Sequence, residues 1–257
     1  MGQGIVEKKV YGIYEHDLEK EVREGPVPKH LAIIMDGNRR YAQENLGDDV
    51  GEGHIAGKAK LLEVAEWCIR MGIQYVTVYA FSTENFKRND KEVEFLMDLA
   101  AESFREMADH ELVQSNKVRI RAIGSLDNLP QPVRDAIAYA DERTGMFKDH
   151  VMSVCIAYGG RQEIVDAAQA IARRVKAGEI EPEDIDEAMI SSNMYTDLPD
   201  PELVLRTSGE IRISNFLLWQ LAYSELYFTD VYWPGFRHID FLRAIRTYQQ
   251  RIRRFGS

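Results

Sequence analysis

The 257-residue sequence is poor in cysteine and in long apolar runs. Its two cysteines, Cys68 and Cys155, lie in apolar stretches, which indicates a reduced, cytoplasmic chain without a disulfide framework or a zinc site. No stretch approaches the roughly 18 apolar residues of a membrane span. The charged first thirty residues contain no apolar signal segment. These absences predict a soluble protein.

Basic residues are in the minority, with 32 Lys and Arg against 42 Asp and Glu, so the formal net charge is −10. This balance argues against a protein that coats nucleic acid, although it is compatible with a local basic pocket for a phosphorylated ligand. The sequence also lacks the P-loop, the G-x-G-x-x-G fingerprint and the G-x-S-x-G nucleophile elbow. Triad hydrolase chemistry therefore has no nucleophile here.

Apolar runs and helical patterns alternate along the chain. The predicted strands lie at 31–35, 75–81, 118–123, 151–158, 202–207 and 225–230. Amphipathic helices are predicted at 57–71, 92–113 and 132–143, after Gly159-Gly160, and at the carboxyl terminus. Near-continuous apolar strands separated by helices are typical of an α/β fold with a mainly parallel sheet covered on both faces. Without an internal repeat or a flexible linker, one domain is expected.

Polar side chains follow three of the predicted strands. They are Asp36, Asn38, Arg39 and Arg40 after the first, Ser82, Thr83, Glu84, Asn85 and Arg88 after the second, and Arg206, Thr207, Ser208, Gly209 and Arg212 after the fifth. Ligands of open α/β sheets bind beyond the carboxyl ends of the strands, so these residues are expected to converge on one rim. Several arginines beside a lone aspartate suit a diphosphate ligand with Mg²⁺.

Each of these signals has a purely structural alternative. Asp36-Gly37-Asn38 is also a turn signature, and Arg206 and Arg212 could form surface ion pairs. His54 is predicted to lie in a glycine-rich loop just before a helix. A lone histidine is more often structural, but at a helix amino terminus near phosphate it could relay a proton. The clustering after strands is what favours function.

Four segments together resemble the cis-prenyltransferases, the family of undecaprenyl diphosphate synthase. They are HLAIIMDGNRRYA (30–42), YAFSTENFKR (79–88), Tyr158-Gly159-Gly160-Arg161 and LRTSGEIRISNFLLWQLAYSELYF (205–228). The resemblance runs from about residue 28 to 256, so a single catalytic domain is expected at 28–257 after an amino-terminal extension at 1–27. The double arginine Arg39-Arg40 is more similar to archaeal and eukaryotic members than to bacterial ones.

The resemblance implies a parallel sheet flanked by helices, with the helices at 57–71 and 92–113 enclosing a hydrophobic tunnel. It implies Mg²⁺-dependent condensation of isopentenyl diphosphate with an allylic prenyl diphosphate, which releases pyrophosphate. The expected product is a Z-polyprenyl diphosphate, the precursor of a lipid glycosyl carrier. A homodimer is expected, and contact with a membrane is expected only through the apolar product.

The resemblance also assigns residues to roles. Asp36, Asn85 and His54 are expected to be catalytic, and Asp36 and Glu225 are expected to hold Mg²⁺, with Glu225 at the dimer interface. The expected substrate-binding residues are Gly37, Asn38, Arg39, Arg40, Ser82, Arg88, Arg206, Arg212, Ser214, Arg254 and Gly256. The last two match a terminal Arg-x-Gly motif that reaches the partner's active site. Without that motif, the basic tail would be interpreted as a solvated helix face.

Three alternatives stay open at this point. The acceptor could be a small molecule other than isopentenyl diphosphate. The chain could be a subunit of a heteromeric prenyltransferase, although such non-catalytic subunits typically lose the Asp-Gly-Asn and arginine blocks that this sequence keeps. A phosphate-binding α/β enzyme of different chemistry, such as a phosphatase, would be favoured if Asp36 were dispensable for prenyl transfer.

Overall fold

A six-stranded sheet forms the centre of the molecule. The computed structural model describes the backbone of residues 2–255 and the side chains of residues 12–251. The strands are β1 (His30–Ile34), β2 (Tyr75–Ser82), β3 (Val118–Ile123), β4 (His150–Tyr158), β5 (Leu203–Arg206) and β6 (Glu225–Phe228). Their order is β3-β4-β2-β1-β5-β6, and every neighbouring pair is parallel. The predicted α/β class and parallel sheet are confirmed.

Helices flank the sheet and join its strands. They are α1 (Gly2–Arg23), α2 (Asn38–Asn45), α3 (Val50–Met71), α4 (Asp90–Asp109), α5 (Glu111–Ser115), α6 (Gln131–Thr144), α7 (Gly160–Lys176), α8 (Glu187–Ser192) and α9 (His238–Phe255). The main hydrophobic core contains side chains of β1 to β5, α3, α4, α6 and α9. None of the helices, within the part of the chain that is described, is long and apolar enough to cross a lipid bilayer.

The amino-terminal segment is a helix that packs on the rest of the fold. Leu18 and Val22 of α1 are fully buried in the main core. Gln249 of α9 donates a hydrogen bond to the carbonyl of Val22 at 2.8 Å. The boundary expected near residue 27 remains a prediction, but these contacts make α1 part of the packed structure.

The position predicted for His54 is wrong. The pattern placed the start of a helix at 57 and His54 in the preceding loop, whereas α3 begins at Val50 and contains His54. Asp49 caps this helix, because its carboxylate accepts a hydrogen bond from the backbone N–H of Glu52 at 3.2 Å. An aspartate at the N-cap satisfies a free amide and so extends the helix through the glycines that follow.

One of those glycines has a packing role. A Cβ atom on Gly53 would lie 2.4 Å from the backbone oxygen of Asn38 and 2.9 Å from the Cβ of Ala42. The missing side chain therefore lets α3 approach α2 closely. Because of this contact, His54, the next residue of α3, lies near the amino end of α2.

A bulge in β2 changes the direction of one side chain. Tyr79 is paired with Cys155 and Phe81 with Ile156, so Ala80 has no partner on β4. Bulges re-aim side chains near functional sites. Here Ala80 is exposed at the end of an otherwise buried strand.

The histidine at the start of β1 is buried and hydrogen-bonded at both ring nitrogens. His30 is 2% exposed, and its Nδ1 and Nε2 atoms lie 2.5 Å from the Pro199 carbonyl and 2.8 Å from the Thr77 hydroxyl. Burial lowers the pKa of His30 to about 4, and the hydrogen bond to Pro199 opposes this shift only in part.

We expect the free energy of unfolding to decrease as the pH falls from about 6.5 to about 4. Between these values the unfolded chain binds a proton on His30 that the native chain does not, so the contribution of this residue to the decrease approaches about 3 kcal/mol. Urea unfolding of the wild type and of His30→Gln across this range measures the difference. His110→Gln, at an exposed histidine, is the control, and an equal pH dependence in all three proteins would contradict the prediction.

Candidate active site

The carboxyl ends of β1, β2 and β5 border one large cavity. Ile34 is paired with both Tyr79 and Arg206, so the segments that follow the three strands lie side by side. The cavity has a volume of about 760 Å³. The predicted site residues that line it are Asp36, Gly37, Asn38, Arg39, Arg40, His54, Ser82, Asn85, Arg88, Arg206, Arg212 and Ser214. The structure thus brings together all three polar segments.

Asp36 lies between two arginines at the floor of this cavity. Its Oδ2 atom accepts a hydrogen bond from Arg206 at 2.8 Å, and its Oδ1 atom lies 3.6 Å from Nη2 of Arg40. Burial acts to raise the pKa of Asp36, but Arg206, Ser208 and Arg40 outweigh it and hold the pKa below its ordinary value. Asp36 is therefore a carboxylate at neutral pH.

The backbone of Asp36 is held by the neighbouring strand. The hydroxyl of Thr207 accepts from the N–H of Asp36 at 2.9 Å and is 2.6 Å from its carbonyl oxygen. The next residue, Gly37, adopts a φ of 105°, and a Cβ there would lie 2.8 Å from the Tyr232 ring. Glycine is required on both grounds. This turn leaves the amino end of α2 at the cavity, where free backbone N–H groups favour an anion.

Arg206 contributes a buried positive charge. Its side chain is 4% exposed, and besides Asp36 it contacts the hydroxyl of Ser214 at 2.7 Å and the carbonyl of Arg212. The Nε atom of Arg206 is buried and has no hydrogen-bond partner. Arg212, by contrast, is largely exposed and ion-paired with Glu210. The two arginines therefore offer one buried and one exposed cation to an anionic ligand.

Two further polar atoms at the cavity have no hydrogen-bond partner. They are Oδ1 of Asn38 and Nε2 of His54. The described side chains contain six buried polar atoms without a hydrogen-bond partner. Three of the six, the atoms of Asn38, His54 and Arg206, belong to residues that line the cavity. Unpaired buried polar atoms are costly, so these three atoms have hydrogen-bonding capacity left for water or for a polar ligand.

The charge of His54 is set by its surroundings. Its Nδ1 atom lies 3.4 Å from the amide nitrogen of Asn38. Burial lowers the pKa of His54, and the charges of Arg88 and Arg39 add to this effect, which Glu92 only partly opposes. A neutral imidazole that accepts from Asn38 carries its proton on Nε2 and can donate it to an oxygen in the cavity.

The segment after β2 forms a tight turn. The Oδ1 atom of Asn85 accepts a hydrogen bond from the backbone N–H of Ser82 at 2.9 Å. The amide group of Asn85 stays available to the cavity, which both residues line. Arg88, at the end of the turn, is held by Glu92 at 2.9 Å.

Glu92 is a residue that the sequence interpretation missed. Its side chain is 8% exposed and lies 3.6 Å from Nε2 of His54, 3.8 Å from Nε of Arg39 and 2.9 Å from Nη1 of Arg88. It therefore orients three of the predicted site residues. The spacing Arg88-x-x-x-Glu92 could have indicated an ion pair between these two side chains. A glutamate three residues after Asn89 is, however, also typical of an ordinary helix start, which explains why Glu92 was missed.

An apolar cavity of about 150 Å³ continues from the polar one. The two share Met35, Asn38, His54, Ala80 and Leu96. Its other walls are mainly apolar side chains of α3 and α4, among them Leu61, Leu62, Leu99, Ala100, Phe104 and Met107. We call it the apolar cavity below. The helices that enclose it are those expected to enclose a tunnel, and the tunnel itself stays a prediction.

Within the chain, Glu225 does not reach this site. It pairs with Leu203 at the amino end of β6, whereas Asp36 follows the carboxyl end of β1. Its carboxylate binds Arg251 at 2.8 Å. The side chain of Arg254 and the whole of Gly256 lie outside the described residues. The roles expected for Glu225, Arg254 and Gly256 stay predictions.

The donor set fits a divalent cation shared with a substrate. No group of three or more His, Cys, Asp or Glu side chains that could hold a metal occurs within the described part of the chain. Asp36 and Glu84 are carboxylates that line the cavity, and Asp36 is the one that lies between Arg206 and Arg40. One carboxylate with substrate phosphates and water is the usual environment of Mg²⁺. Asp36 fits this arrangement.

The comparisons with known proteins agree with this geometry. The family model "Putative undecaprenyl diphosphate synthase" matches residues 34–256. The tritrans,polycis-undecaprenyl-diphosphate synthase (geranylgeranyl-diphosphate specific) of Methanopyrus kandleri is 55% identical, with 97% of this chain and 92% of the relative covered. The protein of the same name from Methanocaldococcus jannaschii is 54% identical, with 96% and 89% covered.

A solved structure is similar over nearly the same range. Lavandulyl diphosphate synthase from Lavandula x intermedia, in complex with dimethylallyl diphosphate, is 36% identical with a TM-score of 0.81. The alignment covers 89% of this chain and 96% of that protein. The archaeal relatives agree with the expectation drawn from Arg39-Arg40.

Proposed function

The chain belongs to the undecaprenyl diphosphate synthase family of prenyltransferases, and from this premise we propose that it extends geranylgeranyl diphosphate with isopentenyl diphosphate, using Mg²⁺, to a long Z-polyprenyl diphosphate. The choice of primer rests on the archaeal relatives, whose names specify geranylgeranyl diphosphate. The observation that carries the proposal is the cavity itself, where arginines surround Asp36 and an apolar cavity leads away from them.

The allylic diphosphate is assigned to the side of the cavity formed by α2. The backbone N–H groups at the amino end of this helix and the guanidinium of Arg40 bind its oxygens. Arg40 is already oriented by Ser208, whose hydroxyl accepts from Nη2 at 2.6 Å. Arg39, held near Glu92, adds positive charge at the rim. The prenyl chain then extends into the apolar cavity.

Isopentenyl diphosphate is assigned to Arg206, Arg212 and Ser214. This placement supplies anionic oxygens to the exposed Arg212 and to the unpaired Nε of Arg206. The C4 carbon of isopentenyl diphosphate forms a bond to C1 of the primer while the C1–O bond breaks and its electron pair leaves with pyrophosphate. A proton then leaves C2, which sets the new Z double bond.

The residues of this chain stabilise the charge that develops on the leaving group. Asp36 would hold Mg²⁺, which would supply Lewis-acid stabilisation of the leaving diphosphate. Arg40 and Arg206 add fixed positive charge, which acts strongly in a partly buried site. His54 and Asn85, with Ser82 and Arg88 as supports, position isopentenyl diphosphate for removal of its proton. Glu92 keeps His54 and Arg88 oriented.

We also propose a homodimer formed along the β6 edge of the sheet. β6 is an edge strand, and Tyr223 just before it is 98% exposed. A second copy docked there would cover Tyr223 and bring Glu225 and the Arg254–Gly256 tail towards a partner's cavity. The apolar product is the part of this system that partitions into lipid, so we propose that the protein meets a membrane only through its product.

The test is a primer panel with products sized by mass. The protein is incubated with Mg²⁺, labelled isopentenyl diphosphate and, separately, dimethylallyl, geranyl, farnesyl or geranylgeranyl diphosphate. A ladder of five-carbon additions, strongest with geranylgeranyl diphosphate, is expected. The solved structure that resembles this chain is a lavandulyl diphosphate synthase, which is named for a different product. One reaction therefore contains dimethylallyl diphosphate as the only substrate. Primer consumption without a ladder would indicate another acceptor, and silence with every primer would contradict the proposal.

Ala80→Leu is expected to shorten the products. Ala80 lines both the polar and the apolar cavity, and the bulge in β2 directs it to their junction. A larger side chain there narrows the path of the growing chain. Product sizes by mass are compared with those of Ala172→Leu, the same change at an exposed position of α7. Unchanged lengths in Ala80→Leu would refute this role for the junction.

A further inference from the structure

Asn215 connects three segments of the chain beside the polar cavity. It lines the cavity and follows Ser214, which the proposed function assigns to isopentenyl diphosphate. Its carbonyl oxygen accepts a hydrogen bond from the backbone N–H of Gly160 at 2.8 Å, and its Oδ1 atom accepts one from the N–H of Arg161 at 2.9 Å. Its amide nitrogen donates to Oε1 of Glu84 at 3.0 Å. The loop after β5 is therefore tied to the start of α7 and to the turn after β2.

The hydrogen bonds to α7 replace a cap that this helix lacks locally. The first backbone N–H groups of an α-helix have no partner within the helix. Gly159, the N-cap residue of α7, has no side chain that could accept from them. Asn215 supplies two acceptors from a distant part of the chain, one from its backbone and one from its side chain. The amino end of α7 therefore fixes the position of Asn215.

Gly159 also lets the turn after β2 come within reach of Asn215. β2 and β4 end side by side in the sheet. A Cβ atom on Gly159 would lie 2.8 Å from Oγ1 of Thr83 and 2.9 Å from the amide nitrogen of Asn215. A side chain at this position would push these two groups apart. Because there is none, Glu84, the neighbour of Thr83, can accept the hydrogen bond from Asn215.

The backbone at Asn215 and at the residue before it has an unusual conformation. Ser214 and Asn215 have φ values of 48° and 64°, in the left-handed region that residues other than glycine rarely adopt. Such conformations persist where the surrounding structure holds them in place. On one side the contacts of Asn215 hold this segment, and on the other the Ser214 hydroxyl accepts from Arg206 at 2.7 Å. The position of Ser214 therefore depends on Asn215 as well as on Arg206.

The acceptor in the turn after β2 is a charged carboxylate. Burial acts to raise the pKa of Glu84, but the hydrogen bonds that it accepts, including the one from Asn215, hold the pKa below its ordinary value. Hydrogen bonds to an ionised group are stronger than those between neutral groups. The turn that contains Glu84 also carries Ser82 and Asn85, which the proposed function assigns to isopentenyl diphosphate. One charge-assisted hydrogen bond thus connects the two segments assigned to this substrate.

We propose that Asn215 is a positioning residue for isopentenyl diphosphate, because its hydrogen bonds to α7 and to Glu84 hold Ser214 at a fixed distance from the turn after β2. This inference rests on the proposed function, since it concerns a substrate of the same site. Asn215 acts here through Ser214 and the turn, and not by contact with the reacting atoms. The allylic primer is assigned to α2 and Arg40. The affinity for isopentenyl diphosphate is therefore expected to depend on Asn215 more than the affinity for the primer does.

The experiment reverses the direction of the hydrogen bond between positions 84 and 215. Asn215→Asp keeps the acceptor for Arg161 but places a second carboxylate beside Glu84. It is expected to raise KM for isopentenyl diphosphate about tenfold, with smaller changes in kcat and in KM for the primer. Glu84→Gln alone keeps an acceptor for Asn215 and is expected to change KM little. In the double variant the new glutamine amide donates to the new aspartate carboxylate, so KM is expected to return to within about threefold of the wild type.

Matched variants separate positioning from a general loss of stability. Asn116→Asp makes the same change at a part-buried asparagine just before β3, whose amide donates to the Leu112 carbonyl at 2.8 Å. It is expected to lower the unfolding midpoint without changing either KM. If Asn215→Asp does not fold, Glu84→Ala removes the acceptor at an exposed turn residue and is expected to raise KM for isopentenyl diphosphate in the same way. Thermal unfolding checks the folding of every variant.

Three results would overturn the proposal. They are an unchanged KM for isopentenyl diphosphate in folded Asn215→Asp, no recovery in the double variant, and a large fall in kcat in Glu84→Gln. The last result would assign Glu84 to direct contact with the reacting groups. Failure of the proposed function has a different signature, since the wild type would then form no ladder with any primer. A wild-type ladder with an insensitive Asn215→Asp variant contradicts this inference alone.

Discussion

Asp36→Asn is expected to lower kcat/KM for prenyl transfer by about 10³-fold, as loss of a group that stabilises transition-state charge does in other enzymes. The amide keeps the size of the side chain but removes the negative charge that would hold Mg²⁺. It also removes the carboxylate that Arg206 contacts at 2.8 Å. Initial rates with geranylgeranyl and isopentenyl diphosphates, measured over a range of Mg²⁺ concentrations, provide the test.

Asp200→Asn is the matched control for this change. Asp200 precedes β5 and therefore lies at the end of the sheet opposite the cavity. Its substitution is expected to leave the rate unchanged. Activity of Asp36→Asn within tenfold of the wild type would contradict the assignment and would favour a phosphate-binding enzyme of different chemistry. A lost rate with an unchanged unfolding midpoint would show that the effect lies in the site.

Arg206→Lys is expected to lower kcat/KM by about 10²-fold, mainly through a higher KM for isopentenyl diphosphate. The guanidinium contacts Asp36, Ser214 and the carbonyl of Arg212 simultaneously. A lysine ammonium cannot reproduce this fork. Loss of one or two charge-assisted hydrogen bonds, each about 1.5–3 kcal/mol, gives a change of this size.

The split between KM and kcat tests the role of Arg206 more sharply than the overall rate. A substrate-binding role raises KM for isopentenyl diphosphate more than KM for the primer. Arg143→Lys is the control, because Arg143 is exposed and paired with Asp109 at 3.0 Å, away from the cavity. A fall in kcat with both KM values unchanged would instead assign Arg206 to the orientation of Asp36.

Much of the fold follows from local patterns. All six strands occur in the segments predicted for them, and the turns after β1, β2 and β5 carry the polar residues that line the cavity. Strand propensity and turn chemistry depend on neighbouring residues, and near-continuous apolar strands separated by helices indicate parallel pairing, so a single sequence contains these signals. The start of α3 was missed because the cap at Asp49 offsets the glycines that follow it.

The class of fold, the family and the polar residues at the ends of the strands are all visible in short segments of the chain. The groups that act on those residues from other elements become visible only when the helices and strands are packed together. Glu92 approaches His54, Arg39 and Arg88 because α4 packs beside α3. The bulge at Ala80 likewise depends on how β2 pairs with β4. Periodicity reports which face of an element is apolar, but the position of a cavity depends on the elements that face each other across it.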